Sequence, residues 1–398
     1  MRFILNGDMI KKDKIMQKKL VLILVGLVFI SGFLYSQTWD YLTRITYTPG
    51  GSWNPKIAAD SANTIHIVWV EYTPGKPEIY YKNCTYGGTG TWSAPQRLTW
   101  SGRDSKDPAI AVDSEDTIHV IWTEWYEPLR SDQCHKASFD GGSTWTSTTR
   151  ITWSARTNFR PALVTTGTND LRVFYTDTSP GNLEIYYKRR SFGTWGGLQR
   201  LTWTTESSDE VFAGVDGNND IHIVWVEKLS PDYELFHKKT TDFGATWSVR
   251  TRITYSSDLS REPCFDFDPA TNVMRLVWNE GWGLEGDIRF KNRDPDTGLF
   301  YGLRQLTWVG SCKHPTVTAP SSCEVQVVYA NHNGVAFDLY QKSSTSCGGM
   351  WSAPFRVTWT PRGSFYPKMI SSGPSNYLRL VYQESISGKE EVFFKRGH

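Results

Sequence analysis

Two sets of positions along this chain carry the residue types that chemistry uses, and both recur. One set stands just before a repeated proline, or in the equivalent place: Asn54, Asp107, Arg160, Glu210, Glu262, His314 and Tyr366. The other follows a repeated aromatic by two residues: Glu71, Glu124, Asp177, Glu227, Glu280, Asn331 and Glu384. Nearly all of the second set are carboxylates. Brought together, they would raise one another's pKa values and attract cations, calcium or sugar hydroxyls. The first set varies in charge and size, as a site for an asymmetric ligand requires. Near these positions stand Trp53, Phe159, Phe365, Trp125, Tyr126 and Trp282, with Arg103, Arg156, Arg261 and Arg362 on the same loops. Aromatic faces beside carboxylates and guanidinium groups suit recognition of carbohydrate or peptide. The simpler reading of the carboxylates is duplication of a residue that satisfies loop amides, and some of the aromatics would only plug a channel.

What must position these residues is a repeat. Arg44-Ile45-Thr46-Tyr47 returns at Arg97, Arg150, Arg200, Arg252, Gln305 and Arg356 in steps of 50–53 residues. Each unit reads as four short strands, with period-2 apolar runs separated by turn residues. A Pro-led run such as Pro55–Asp60 comes first. A β-branched strand ending in an aromatic follows, as in Ile65–Trp69, then a strand ending in lysine, as in Glu78–Lys82. The fourth strand begins at a tryptophan five residues before the anchor. Four strands in about 50 residues is the arithmetic of a propeller blade. The expected fold is therefore all-β: a seven-bladed β-propeller of four-stranded antiparallel blades over residues 37–398. The last unit lacks its fourth strand, while Trp39 and Arg44 have no strands before them. The N-terminal segment should then supply that strand and close the ring, which removes an exposed edge.

Residues 1–36 read as a secretory signal peptide, with Lys18 and Lys19 ahead of the apolar run Leu20–Tyr35 and Met16 as an alternative start. The rival reading is an uncleaved anchor; with cleavage, no membrane segment is expected. The expected location is secreted, periplasmic or at the cell surface, and the expected state a monomer. Lys+Arg of 43 against Asp+Glu of 41 is too balanced for a nucleic-acid binder. No Cys-x-x-Cys pair, phosphate loop or dinucleotide fingerprint occurs, so no metal or cofactor is expected, and calcium is not indicated. His66, His119 and His222 share one repeat position with Arg172, Arg275, Gln326 and Arg379, which describes a tolerant polar slot. The third-strand lysine is expected to pair with a turn carboxylate such as Asp60, Asp113 or Asp216. Cys323 and Cys347 fall in two turns on one face of a single unit and should form a disulfide. Cys264 should be a buried free thiol.

Two copies of the repeat carry Ser/Thr-x-Asp-x-Gly-x-Thr-Trp between the third and fourth strands, at Ser138–Trp145 and Thr240–Trp247. This is the Asp-box (BNR) pattern, and the chain resembles the sialidase-like propeller superfamily over nearly all of its repeat. The resemblance implies that Asp140, Gly142, Trp145, Asp242, Gly244 and Trp247 build structural hairpins away from the functional face. It implies two functions of different class. One is a non-catalytic extracellular module that binds carbohydrate or a protein ligand on its central face. The other is a glycoside hydrolase resembling exo-α-sialidases, which would need three arginines on the substrate carboxylate beside a Tyr–Glu pair. Phe159-Arg160-Pro161 is the nearest match to the first arginine motif of those enzymes, without its Ile and in the third unit. Arg160 is the arginine expected to mark the functional face.

Overall fold

In the computed structural model, residues 38–40, 42–73, 75–127, 129–282 and 286–397 are described. The leader lies outside them. From Asp40 to Gly397 the chain folds into seven four-stranded antiparallel sheets. The first blade uses Ser52–Ala59, Ile65–Thr73, Lys76–Cys84 and Gln96–Arg97 as its inner, second, third and outer strands. Blades two to six follow in sequence. The seventh takes its inner three strands from Ser364–Ser372, Tyr377–Ile386 and Lys389–Gly397 and its outer strand from Thr43–Arg44. Thr43 pairs with Phe394 and Arg44 with Phe393, so the ring closes as the truncated last unit requires. Among the described residues no helix is long and apolar enough to cross a membrane.

The anchor tetrapeptide has a physical cause in every blade. Its arginine and threonine clamp an acidic residue that opens the third strand. These acids are Glu78, Asp132, Glu184, Glu234, Asp287, Asp338 and Glu391. The arginine meets the carboxylate at 2.5–2.9 Å in five blades, in the second blade Arg150 meets Asp132, and in the fifth Gln305 takes the part at 3.1 Å. The threonine hydroxyl donates to the same carboxylate while accepting the next backbone amide, as Thr254 does between Glu234 and Leu235 N. The apolar anchor residue between them is buried, from Ile45 to Val357. The last residue of the anchor, Tyr or Trp, lies on the surface.

Blades join through the fourth-strand tryptophan, which packs edge-on against a third-strand ring of the preceding blade. Trp145 meets Tyr81 at 5.0 Å, Trp351 meets Phe290 at 5.0 Å and Trp92 meets Phe394 at 5.2 Å between ring centroids. The turn ahead of Trp145 is held by Asp140, which accepts Ser138 Oγ, Thr144 N and Thr144 Oγ1 at 2.5–2.8 Å. Asp242 does the same for its own turn. Those hydrogen bonds hold both carboxyls down at about 2. Gly142 has φ of +89°, and a Cβ there would sit 2.1 Å from Tyr81 Oη. That close approach, as well as the backbone conformation, demands glycine.

The third-strand lysines do not pair with Asp60, Asp113 or Asp216 as expected. Lys82, Lys238, Lys291, Lys342 and Lys395 reach back to the carbonyl of the preceding anchor's apolar residue at 2.7–3.1 Å. They point across the blade junction, not along their own sheet. The turn carboxylates instead accept local amides: Thr64 N on Asp60 at 2.6 Å, Thr117 N on Asp113 and Asp220 N on Asp216 at 2.9 Å. The histidines of the polar slot point at the same carboxylates, with Nε2 3.3–3.4 Å away. Cys323 and Cys347 are bridged, with Cα atoms 3.9 Å apart, and Cys264 is buried and free.

His119 lies against His135 in the core, and burial pushes its pKa down to about 4. The folded chain therefore keeps it neutral while the unfolded chain protonates near pH 6.5. Below that pH the unfolded state binds the extra proton, so stability falls as pH drops from 6.5 towards 4. From the shift to about 4, His119 alone should cost about 2 kcal/mol at pH 5. Urea midpoints of the native chain and of His119→Gln, compared at pH 7.5 and pH 5, read this out. Equal pH dependence in the two proteins would contradict it.

Candidate functional site

All seven pre-proline positions adopt the same unusual backbone. Asn54, Asp107, Arg160, Glu210, Glu262, His314 and Tyr366 have φ between +50° and +54°. Each sits in a β-bulge, where the register between the inner and second strands slips, as between Trp53 and Lys56 or Phe159 and Ala162. A left-handed conformation costs an L-residue about 1–2 kcal/mol. Strain of this kind concentrates where the surrounding structure imposes it for a purpose. Here the bulge turns these side chains out of the inner strands toward their counterparts in neighbouring blades.

From Asn54 to Tyr366, successive members of the set interact and form a girdle. Asn54 Nδ2 donates to Asp107 Oδ1 at 3.4 Å, and Asn54 Oδ1 accepts from Lys56 Nζ at 2.5 Å. Arg160 faces Asp107 and Glu210 and forms an ion pair with Asp209 of the next blade. The backbone amide of Glu262 donates to Glu210 Oε2 at 2.9 Å, and that of His314 donates to Glu262 Oε2 at 2.6 Å. His314 Nδ1 lies 2.8 Å from Glu262 Oε1, and its ring stacks on Tyr366 with centroids 3.9 Å apart. The bulge thus frees amides that bind carboxylates of the adjoining blade. That is part of the physical return on the strain.

Electrostatics at the girdle are unusual. Burial and the neighbouring Lys368 bring Lys56 down to about 7, against the pull of Asp107. Burial pushes Asp107 and Glu210 up, while His314 holds Glu262 down against its own burial. Arg160, with about half of its side chain exposed, and Tyr366, 44% exposed, are the girdle's most accessible groups. Hydrogen-bond donors, acceptors and an aromatic face are thus presented together on one rim.

Several members of the second set make contacts of their own. Glu71, Glu124 and Glu280 accept the indole N–H of the tryptophan two residues earlier, at 3.0–3.1 Å. Alternation along a strand puts these carboxylates on the same side as that buried tryptophan, over the blade core. Asp177 accepts Ser179 N at 2.6 Å, and Glu227 pairs with Arg250. Glu384 is buried, and burial with the nearby Asp338 pushes it up to about 7. Glu71, Glu124 and Glu280 thus turn toward the tryptophans of their own blades. Trp53 packs partly buried against the core shared by the first two blades, and Trp282 is largely exposed on a fifth-blade loop. Arg103, just before the second blade's inner strand, lies over Tyr126, and Arg261, next to Glu262 in the fifth blade's inner strand, lies over Tyr233 of the fourth blade.

The clamped acids Glu78 to Glu391 escaped the sequence reading, although all seven are acidic and stand at one repeat position. Their signal was an invariant charge inside an apolar strand. Asp216, Asp220 and His222 offer ligand atoms within 4.8 Å of one another. Each is engaged within the protein: Asp216 by turn amides and Asn272, Asp220 by Lys239, and His222 by Asp216 and His237.

No protein-family model matches this chain, and no curated protein matches it. Solved structures do. A PL25 ulvan lyase bound to GlcA(1-4)Rha3S aligns over 89% of this chain and 93% of its own, at 12% identity and a TM-score of 0.64. A protein of unknown function from Dyadobacter fermentans aligns over 74% of this chain and 94% of its own, at 12% identity and a TM-score of 0.55. The NanB sialidase of Streptococcus pneumoniae aligns over 90% of this chain and 70% of its own, at 10% identity and a TM-score of 0.51. At these identities the likeness concerns the fold. By that measure, the seven blades of this chain have the fold of the sialidase-like propellers.

Proposed function

We propose that this protein is an exported propeller that binds carbohydrate on its central face. The observation that carries the reading is the girdle: one strained backbone conformation is repeated seven times, yet it presents seven side chains of differing charge and shape. A purely structural bulge would need the conformation but not the variety. The nearest chemistry is hydroxyl recognition, with Arg160 and Lys56 as donors, Asp107, Glu210 and Glu262 as acceptors, and Tyr366 as a stacking face. Fold neighbours described as sialidases and as a polysaccharide lyase are consistent with a carbohydrate ligand.

A binding role is favoured over sialoside hydrolysis by the arginines. Arg160 is the one arginine at the girdle positions, whereas Arg103 and Arg261, the latter beside Glu262, lie over the rings of Tyr126 and Tyr233. Burial and Glu262 push the Tyr366 hydroxyl up, which makes it a poorer nucleophile. The test is a glycan array with Arg160→Ala alongside the native chain, together with a fluorogenic sialoside assay. Losing Arg160 should weaken binding by about 2–5 kcal/mol, part of it from the carboxylates left unpaired. Undiminished glycan binding by the variant with reduced folding stability would make Arg160 a strut. Turnover of the sialoside would favour the hydrolase.

A further inference from the structure

A second pocket lies away from the channel, in the wedge between the first and second blades. It measures about 330 Å³ and is lined by Trp100, Arg103, Trp122, Glu124, Tyr126 and Arg150, among others. That is at the small end of ligand sites, which run from roughly 300 to 1,000 Å³. Its outer wall is Trp100, the surface-lying last residue of the first blade's anchor, which is 65% exposed. Six other anchors expose an aromatic in the same way, so exposure by itself says nothing about a ligand.

The wedge is lined by Glu124, one of three carboxylates at its repeat position, with Glu227 and Glu384, that keep a buried oxygen without a partner. Glu124 is only 4% exposed. Oε2 accepts Trp122 Nε1 at 3.0 Å and Ser105 Oγ at 2.7 Å. Oε1 is buried and has no hydrogen-bond partner among the described residues. An unpaired buried carboxylate oxygen costs several kcal/mol in general, and native proteins rarely leave one without a role. In the fourth blade the corresponding carboxylate, Glu227, is met at Oε1 by Arg250, two residues before its anchor arginine, while its Oε2 stays unpaired. In the second blade the residue two before Arg150 is Thr148, too short to carry a charge to Glu124, and it lines the pocket instead. The guanidinium groups of Arg103 and Arg150 both lie over the Tyr126 ring, at 4.6 and 4.7 Å from its centroid.

We infer that this wedge is a second binding site, for a single neutral pyranose at the end of a glycan. The sugar's apolar face would lie on Trp100. One hydroxyl would donate to Glu124 Oε1, and the ring or neighbouring oxygens would accept from Arg103. The Arg150 guanidinium is already paired with Asp132, and Glu124 Oε1 is an acceptor that calls for a hydroxyl donor, which a neutral pyranose supplies beside an apolar face for the indole. This site stands independently of the central face.

The experiment is saturation-transfer NMR of the full chain with a panel of methyl pyranosides: glucose, galactose, mannose, fucose and N-acetylglucosamine. At least one should bind, Trp100→Ala and Glu124→Gln should each weaken it at least tenfold, and Trp100→Phe should restore most of the affinity. Repeating the measurements in an Arg160→Ala background removes any contribution of the central face to the signal. Absence of binding by every pyranoside, or binding that survives both Trp100→Ala and Glu124→Gln, overturns the inference. Binding lost only in Arg160→Ala also overturns it and assigns the sugar to the central face. Circular dichroism of each variant separates loss of the site from loss of the fold.

Discussion

Deleting residues 37–47 is expected to abolish the cooperative unfolding transition of this protein or lower its midpoint drastically. The deletion removes the outer strand of the seventh blade, Thr43–Arg44, and the anchor that follows it. Ile45 is 2% exposed, and losing so buried an aliphatic side chain costs about 2–5 kcal/mol. Glu391, also 2% exposed, would lose Arg44 and Thr46 together. Stripping a buried carboxylate of its partners costs a further ~3–5 kcal/mol. The sum is comparable with the whole stability of an ordinary domain, about 5–15 kcal/mol. The third strand Lys389–Gly397 would become an exposed edge, which invites pairing between chains. Calorimetry and size-exclusion chromatography of the truncated chain are the measurements. An unchanged midpoint and elution volume would show that the ring does not depend on this strand.

Asp268→Ala is expected to cost about 3–5 kcal/mol, which is exceptional for one substitution. Asp268 is fully buried and holds four donors: Arg275 Nη2 at 2.6 Å, Cys323 N at 2.9 Å, Thr271 N at 3.0 Å and Ala270 N at 3.1 Å. Arg275 is 1% exposed, so the substitution would leave its charge buried without a counter-ion. The same donors hold the Asp268 carboxyl down at about 2. Its contribution is therefore present above the ordinary aspartate range near pH 4 and lost as pH falls towards 2. Replacing both partners, Asp268→Ala with Arg275→Leu, should recover much of the loss, because no charge is then stranded. Urea midpoints of the two variants decide the matter. A single variant as stable as the native chain, or a double variant worse than the single, would refute the account.

Much of the architecture could be read from residues alone because it is repeated. Seven anchors with a missing last strand implied seven blades and a closure from the N-terminal side, and the pairing of Thr43 and Arg44 with the last blade matches both. Cys323 and Cys347 could be matched because the repeat register placed both in turns on one face. The pairing of Lys82 and its equivalents was misread for a simple reason. A strand pattern gives the side of the sheet on which a residue lies, but not which neighbour a long flexible side chain will reach.

The site shows the same division. The identity of Asn54, Asp107, Arg160, Glu210, Glu262, His314 and Tyr366 as one varied set follows from the repeat. Their left-handed bulges do not, because nothing in glutamate, arginine or tyrosine favours positive φ; packing between blades imposes it. Likewise the repeat lines up Glu71 and Glu124 as one set, and only the three-dimensional structure turns them toward the tryptophans of their own blades. The pocket beside Glu124 draws on residues of two repeats, Trp100 and Thr148, which no single repeat brings together. Periodicity along a chain determines elements, their number and their order, since those depend on local backbone preferences and alternating burial. Which polar atoms are satisfied, and which are left facing a cavity, is decided only when separate repeats meet.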